Sequence, residues 1–413
     1  MTQMERIAIS RYAEGIYDGP HATPKEVDEG PVFLGVTNVT EDGRLDLSDV
    51  KHISEEDFPR WTKRVLPQKD DIVFSYEATL HRYVLIPEGF RGCLGRRMGL
   101  VRPDKSKVNP KYLHYYLLSK EWRAVIESNI ISGATVDRIP LKKFPEFPVR
   151  LPDLATQRRI ASILSSYDEL IENNRKRIKL LERAARLLYT EWFVRLRFPG
   201  HEGGKRLRPD GSGVKDGVPE GWEKGTIEDF YHTSSGGTPS RSKPEYYEGD
   251  INWVKTQELN EDFIFDTEEK ITEMAISNSS AKVYPPNTLL VSMYGGTNIG
   301  RVAILANPAA CNQACCALSP KVEHASIHFA FLFFGTIREQ LIGISQGAAQ
   351  TNISQQIVKG LKVVLPCKDV IKDFTGRIIP LFDQMRTLQA MNQQLTRARD
   401  LLLPRLMSGK VRV

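Results

Sequence analysis

Residues Ser132–Pro152 read "SGATVDRIPLKKFPEFPVRLP". They align without a gap on Gln346–Pro366, "QGAAQTNISQQIVKGLKVVLP", at an offset of 214. Gly133 meets Gly347, Ile139 meets Ile353, and the Leu-Pro ends coincide. Upstream, "DIVFSY" matches "TLLVSM" with Ser75 against Ser292, and Cys93 falls against Cys311, at offsets of 217 to 218. "VFLGVTNV" matches "INWVKTQE" more faintly. A period of about half the chain is too long for a solenoid unit, so it predicts a duplicated domain. The chain has 413 residues, room for about two to four domains of the usual size.

Each copy mixes element types. Short β-rich runs such as "DIVFSY", "NTLLVSM" and "RVAILA" are bounded by Gly, Pro and Asn. Helical stretches, "PKYLHYYLLSKEWRAVIES" and "IHFAFLFFGTIREQLI", follow them. The expected fold class is therefore α+β, with two duplicated mixed lobes. "RFPGHEGGKRLRPDGSGVKDGVPEGW" is rich in Gly, Pro and charge and reads as a linker. The predicted boundaries are 1–151 for the first lobe, 152–198 for a central helix, 199–218 for the linker, 219–365 for the second lobe and 366–413 for a distal helix.

The two helices are more regular than the lobes. In the first, Ile160, Leu164, Tyr167, Ile171, Asn174, Ile178, Leu181, Ala185, Leu188 and Trp192 alternate at spacings of four and three. In the second, Phe374, Ile378, Leu381, Met385, Leu388, Asn392, Leu395, Arg399, Leu402 and Leu406 do the same. Heptad spacing over ten positions predicts a coiled coil, against the alternative that each helix covers its own lobe. One antiparallel register joins all ten rungs, from Ile160 with Leu406 to Trp192 with Phe374. It sets Asn174 opposite Asn392 beside a pseudo-twofold axis, where a slip would bury either amide against Ile or Leu.

Charge follows the helices. Residues 156–197 carry ten Lys and Arg against five Asp and Glu, and residues 370–413 carry eight against three. The net charge is +6, so the rest of the chain is acidic on balance. A basic helix face suits DNA, an acidic partner or water.

Several enzyme classes lack their signatures. A methyltransferase would show a cofactor-binding Gly motif and an Asn/Asp-Pro-Pro-aromatic motif; "NPKY" at Asn109–Tyr112 lacks the second Pro. "GGTNIGR" is not a P-loop, because Gly-Lys-Ser/Thr is missing. A nuclease trio of Asp250, Glu268 and Lys270 has no counterpart in the first half. Cys311, Cys315, His324 and His328 have an unsuitable spacing for a standard zinc site, so no metal is expected. No catalytic residue is assigned. Five cysteines, an odd number, predict reduced thiols and a cytoplasmic location. No signal-peptide core or membrane-length apolar run is expected.

"LPDLATQRRIASILSSYDELIENNRKRIKLLERAARLLYTEWF" resembles the central conserved region of type I restriction-modification specificity subunits. "LFDQMRTLQAMNQQLTRARDLLLPRLMSGKV" resembles their distal conserved region, and "VPEGWEKGTIEDF" with "SGGTPSR" is similar to the start of a target recognition domain. The first half has no equivalent of Pro219-Glu220-Gly221-Trp222. The resemblance implies a non-catalytic subunit of a methyltransferase and endonuclease complex. Each lobe would read one half of a bipartite, asymmetric double-stranded DNA target. The helices would space the lobes and dock two modification (methyltransferase) subunits. Restriction (ATP-dependent translocase and nuclease) subunits would join. S-adenosylmethionine, ATP and Mg would act in those partners, and no cofactor is expected here. Ten rungs correspond to roughly 48 Å of helix at 1.5 Å per residue, enough to set lobes about one 34–36 Å DNA turn apart. The alternatives are the recognition subunit of another multisubunit restriction-methylation system, or a protein-interaction scaffold that does not bind DNA.

Base reading needs Arg, Lys, Asn, Gln, Ser or Thr on loops that reach a groove edge. The first lobe offers "YDGPHATPK", "YEATLHR" and "SGATVDR", with His21, Thr23, Lys25, Thr79, His81, Arg82, Thr135 and Arg138 as candidates. The second offers "SSGGTPSRSK", "YGGTNIGR" and "SQGAAQTN", with Thr238, Ser240, Arg241, Asn298, Arg301, Gln346, Gln350 and Asn352. Arg82→Ala is expected to alter one half-site only.

Overall fold

The computed structural model describes residues 5–131, 136–200, 214–215, 218–219, 221–346, 352–411 and 413. They form two compact units, Met1–Leu170 with Gln394–Val413, and Ile171–Gln393. Each unit holds one lobe and parts of both long helices.

In the first unit the strands are β1 (Ile7–Ala8), β2 (Ala13–Asp18), β3 (Val27–Leu34), β4 (Lys51–His52), β5 (Ile72–Ser75), β6 (Tyr83–Leu85), β7 (Gly92–Leu94), β8 (Met98–Pro103) and β9 (Pro148–Val149). An antiparallel sheet runs β2-β8-β5-β6, and a second runs β4-β3-β7 with β3 and β7 parallel. Strand β5 is buried along its whole length because both of its faces are covered. Ile72 and Phe74 pack with Tyr112, Leu113 and Trp122 of the helical layer, while Val73 packs with Leu34 and Leu94 of the second sheet. A strand covered on both sides reads as an unbroken apolar run, as "IVF" does.

The helical layer is α1 (Pro110–Leu117) and α2 (Lys120–Glu127), so the predicted single helix is two. Ser119 separates them and accepts from the Trp122 N–H at 3.3 Å as the cap of α2. Asn109 caps α1 by accepting from the Tyr112 N–H at 3.0 Å, which accounts for "NPKY" as a helix start.

After the long helix α3 (Leu154–Tyr189), the second lobe repeats the plan. Its strands are β10 (Glu223–Thr226), β11 (Tyr231–Ser235), β12 (Ile251–Val254), β13 (Phe263–Ile264), β14 (Lys270–Ile271), β15 (Val283–Tyr284), β16 (Leu289–Ser292), β17 (Val302–Leu305), β18 (Ala309–Cys311), β19 (Cys315–Pro320) and β20 (Lys362–Leu365). The sheets run β11-β19-β16-β17-β13 and β14-β12-β18-β15. Removing the edge strands β13 and β15 leaves the order of the first lobe, including the parallel pair β12 and β18. Helix α4 (Ile327–Gln346) replaces α1 and α2.

The repeat also locates the start of the first lobe. Ile9 N–H donates to Phe147 O at 2.9 Å, and Ile227 N–H donates to Leu361 O at 3.0 Å. Strand β1 pairs with β9 as β10 pairs with β20. The missing Pro-Glu-Gly-Trp segment therefore does not remove the closing strand.

One predicted equivalence shifts. Leu34 pairs with Leu94, and Val254 with Cys311. The next residues match too: Gly35 N–H is capped by Asn38 at 3.0 Å and Lys255 N–H by Glu258 at 2.7 Å. Cys311 thus corresponds to Leu94, and Cys93 to Ala310. Since strand side chains alternate, one residue of slip changes the face. Cys93 lies with Phe33, Ile53 and Trp61, whereas Cys311 lies with Val254, Leu290 and Cys315. His328 packs against Phe382 instead, with ring centroids 4.6 Å apart. All five cysteines are free thiols, and burial pushes Cys93 and Cys316 up to about 12.

Helix α4 corrects the expectation of no membrane-length apolar run: its 20 residues are long and apolar enough to cross a membrane by length and composition alone. Its Phe329, Phe331, Phe334 and Leu341 are buried in the second lobe's core.

Helix α5 (Lys368–Met407) closes the chain. None of the twenty predicted stripe positions is exposed; nineteen lie on α3 and α5, and Trp192 lies in the π-helical turn Thr190–Val194 that follows α3. In the second unit the Trp192 and Phe374 rings lie 5.6 Å apart, and Asn174 bonds Asn392, so the pairing runs antiparallel. The same segments enter the lobe core through Ala185, Tyr189, Phe374 and Ile378. In the first unit Ile160 and Leu164 share a core with Leu402 and Leu406. The stripe thus serves helix pairing and lobe packing together.

Candidate nucleic-acid interface

Strand register brings the predicted loops together. In the first lobe Asp18 pairs with Gly99 and Ser75 with Met98. The loops that follow β2 and β5 therefore leave the sheet at one edge, at the start of β8. The third loop is bound to that edge where Ile139 N–H donates to Tyr76 O at 2.7 Å and Ala78 N–H to Asp137 O at 3.0 Å. The second lobe repeats this. Ser235 pairs with Cys316, Ser292 with Cys315, and Ile353 N–H donates to Met293 O at 2.9 Å. Ser75 Oγ donates to Glu77 O at 3.3 Å and Ser292 Oγ to Tyr294 O at 3.0 Å, so both buried serines turn the chain out of the strand alike.

In the first lobe His21 is exposed and hydrogen-bonds Asp18 at 3.1 Å and Tyr76 at 3.3 Å. Burial, with the nearby Asp18, raises the Tyr76 phenol above its ordinary pKa. Thr23, Lys25, Thr79 and Arg138 are exposed. Arg138 is bridged to Glu77 and Ile131 through its backbone. His81 is half-buried at φ 60, and burial, aided by Arg123, lowers its pKa. Arg82 is half-buried, 3.8 Å from Glu41. Thr135 lies outside the described residues.

In the second lobe Thr238 and Ser240 are exposed; Thr238 donates to Gln313, and Ser240 hydrogen-bonds Ser242 at 2.8 Å. Arg241 is ion-paired with Glu269 at 2.6 Å and sits over the Tyr247 and Trp253 rings at 4.1 and 5.1 Å. That arrangement holds its guanidinium against its own lobe. Asn298 is half-buried in a short 3-10 turn, and Arg301 donates to Asn260 at 3.2 Å. Gln346 ends α4, exposed, and Asn352 is half-buried. Gln350 lies outside the described residues.

Some residues at these edges went unpredicted. Arg64 donates to Gly19 O at 3.2 Å and pairs with Asp18 at 2.7 Å. Gln355 accepts from Ser235 Oγ at 2.8 Å. The turns Gly95–Met98 and Asn312–Cys315, which precede β8 and β19, sit against the loops. Their signal was present as equally spaced turns in the repeat, but only strand register shows that they face the loops.

The comparisons with known proteins agree with this duplicated plan. The family profile for the type I restriction modification DNA specificity domain matches residues 32–183 and 219–396. The chain is 24% identical to the HindI type I restriction enzyme specificity subunit of Haemophilus influenzae, over 92% of this chain and 94% of that one. It is 22% identical to the MjaIX specificity subunit of Methanocaldococcus jannaschii, over 96% and 87%. The crystal structure of the type I restriction-modification S subunit from M. genitalium superposes with a TM-score of 0.57 at 16% identity, covering 98% of this chain and 97% of that one. With two profile matches spanning most of its length, one on each lobe, the chain belongs to the family of type I restriction-modification DNA specificity subunits.

Proposed function

We propose that each lobe reads one half of a bipartite, asymmetric double-stranded DNA target through its convergent loop edge. The observation that carries this reading is the repetition of one loop-bearing sheet edge on a shared strand order, to which the second lobe adds two edge strands, furnished with different side chains. A shared frame with different contents suits two unlike half-sites. Helices α3 and α5 pair as an antiparallel coiled coil that sets the half-site spacing and docks two modification subunits. Lys176, Arg177 and Lys179 of α3 are exposed, and their charge is available to those partners or to phosphate. The chain performs no catalytic step. Methyl transfer, with S-adenosylmethionine, belongs to the modification subunits; ATP and Mg act with the restriction subunits. Free buried thiols suit a reducing cytoplasm.

Base-specific footprinting of the complex with its cognate modification subunits tests the reading. The expected result is two protected blocks separated by an unread spacer. A single continuous block, or protection without sequence preference, overturns it.

A further inference from the structure

At the loop edge of each lobe one turn stands between the others. In the first lobe it is Gly95–Met98, closed by Met98 N–H to Gly95 O at 3.3 Å; in the second it is Asn312–Cys315, closed by Cys315 N–H to Asn312 O at 3.1 Å. The second loop is tied to this turn in both lobes, Tyr76 N–H to Arg97 O at 3.1 Å and Met293 N–H to Ala314 O at 2.8 Å. The first loop lies on it so closely that a side chain would not fit. A Cβ on Gly19 would stand 2.6 Å from Gly95 O, and one on Gly236 would stand 2.2 Å from Cys311 O and 2.3 Å from Asn312 O.

Within each turn one residue is exposed while its neighbours are buried or half-buried. It is Arg96 in the first lobe and Gln313 in the second, at equivalent positions. These side chains present two planar hydrogen-bonding patterns that match base edges in the major groove, Arg donating to guanine O6 and N7, and Gln donating to adenine N7 while accepting from N6. The Gln313 side chain is held directly, and Arg96 is carried on a turn whose next residue is fixed. Thr238 donates to Gln313 Oε1, which leaves the Nε2 hydrogens and one oxygen lone pair free. Arg97, beside Arg96, adopts φ 71 and is ion-paired with Glu77 at 3.0 Å. A left-handed arginine is strained, and the turn holds it there.

We propose that Arg96 and Gln313 are base-reading residues, Arg96 specifying a guanine in one half-site and Gln313 an adenine in the other. This rests on the reading of two lobes for two half-sites. The test is methylation mapping in cells that express the full chain or its variants together with the modification subunits. Arg96→Ala is expected to relax one position of one half-site, discrimination there falling by about 5- to 150-fold. Gln313→Ala is expected to relax one position of the other half-site only. Arg96→Lys keeps the charge without the fork and should relax the same position as Arg96→Ala. An unchanged motif in Arg96→Ala and Gln313→Ala overturns the proposal. So does uniform loss of methylation in Arg96→Ala that Arg96→Lys restores, since that describes a phosphate contact. A wild-type methylation motif without two half-sites would instead overturn the underlying reading.

Discussion

Asn174 Nδ2 donates to Asn392 Oδ1 at 2.9 Å, between two helices whose neighbouring seam residues are apolar. The amides are 218 residues apart in the chain, and one bond joins them, with Asn174 buried and Asn392 half-buried. Asn174→Leu alone leaves the Asn392 amide facing a side chain that cannot bond it, at an expected cost of about 1–3 kcal/mol. The double variant Asn174→Leu, Asn392→Leu should be at least as stable as the parent in chemical denaturation. It should also be less strict in register, read as less uniform half-site spacing. Loss of helix pairing in the double variant would sink this assignment.

Arg399 is buried on α5 and bonds Asp168 of α3 at 2.6 Å, with Asp400 at 2.9 Å. Tyr115 of α1 donates to the other oxygen of Asp168. Asp168→Ala leaves the phenol without its acceptor and the guanidinium with Asp400 alone, so about 1–3 kcal/mol of destabilisation is expected. Replacing both ions, Asp168→Leu with Arg399→Met, should cost far less. Unfolding midpoints of the two variants check the difference; equal losses would show that the ion pair is not what matters there.

His328 gives the second lobe an acid-side stability slope. Burial lowers its pKa to about 4, against an ordinary value of 6.5. Between those values the unfolded chain binds the proton and the folded chain does not. Stability therefore falls as pH drops from about 6.5 to 4, by up to about 3 kcal/mol, then levels off for this group. His328→Phe should flatten that part of a stability-versus-pH curve. A slope unchanged by the substitution would place the proton uptake elsewhere.

Gly236 and Gly19 let the first loop of each lobe lie on its turn. Gly236→Ala must displace the backbone around Asn312, because the new Cβ meets two carbonyl oxygens. The expected outcome is loss of sequence preference in one half-site with the other retained. Gly19→Ala should do the converse. Methylation mapping reads both, and a symmetric loss would refute the independence of the two edges.

The sequence determined most where a physical period is strict. Spacings of four and three from Ile160 to Trp192 and from Phe374 to Leu406 specified which faces are covered, and the amide pair followed from the register. The gapless repeat specified two lobes of one plan. The tertiary structure alone decided where spacing passes through loops of unequal length. It made Cys311 the equivalent of Leu94 rather than of Cys93, because a strand alternates every residue and a slip of one cannot be seen in a loose alignment. It turned Arg241 onto Tyr247 and Trp253, a role that a basic residue in a polar loop does not reveal. It also brought Arg96 and Gln313 to the centre of the loop edges. Their position depends on cross-strand pairing between segments remote in the chain, and that pairing leaves no local pattern to read.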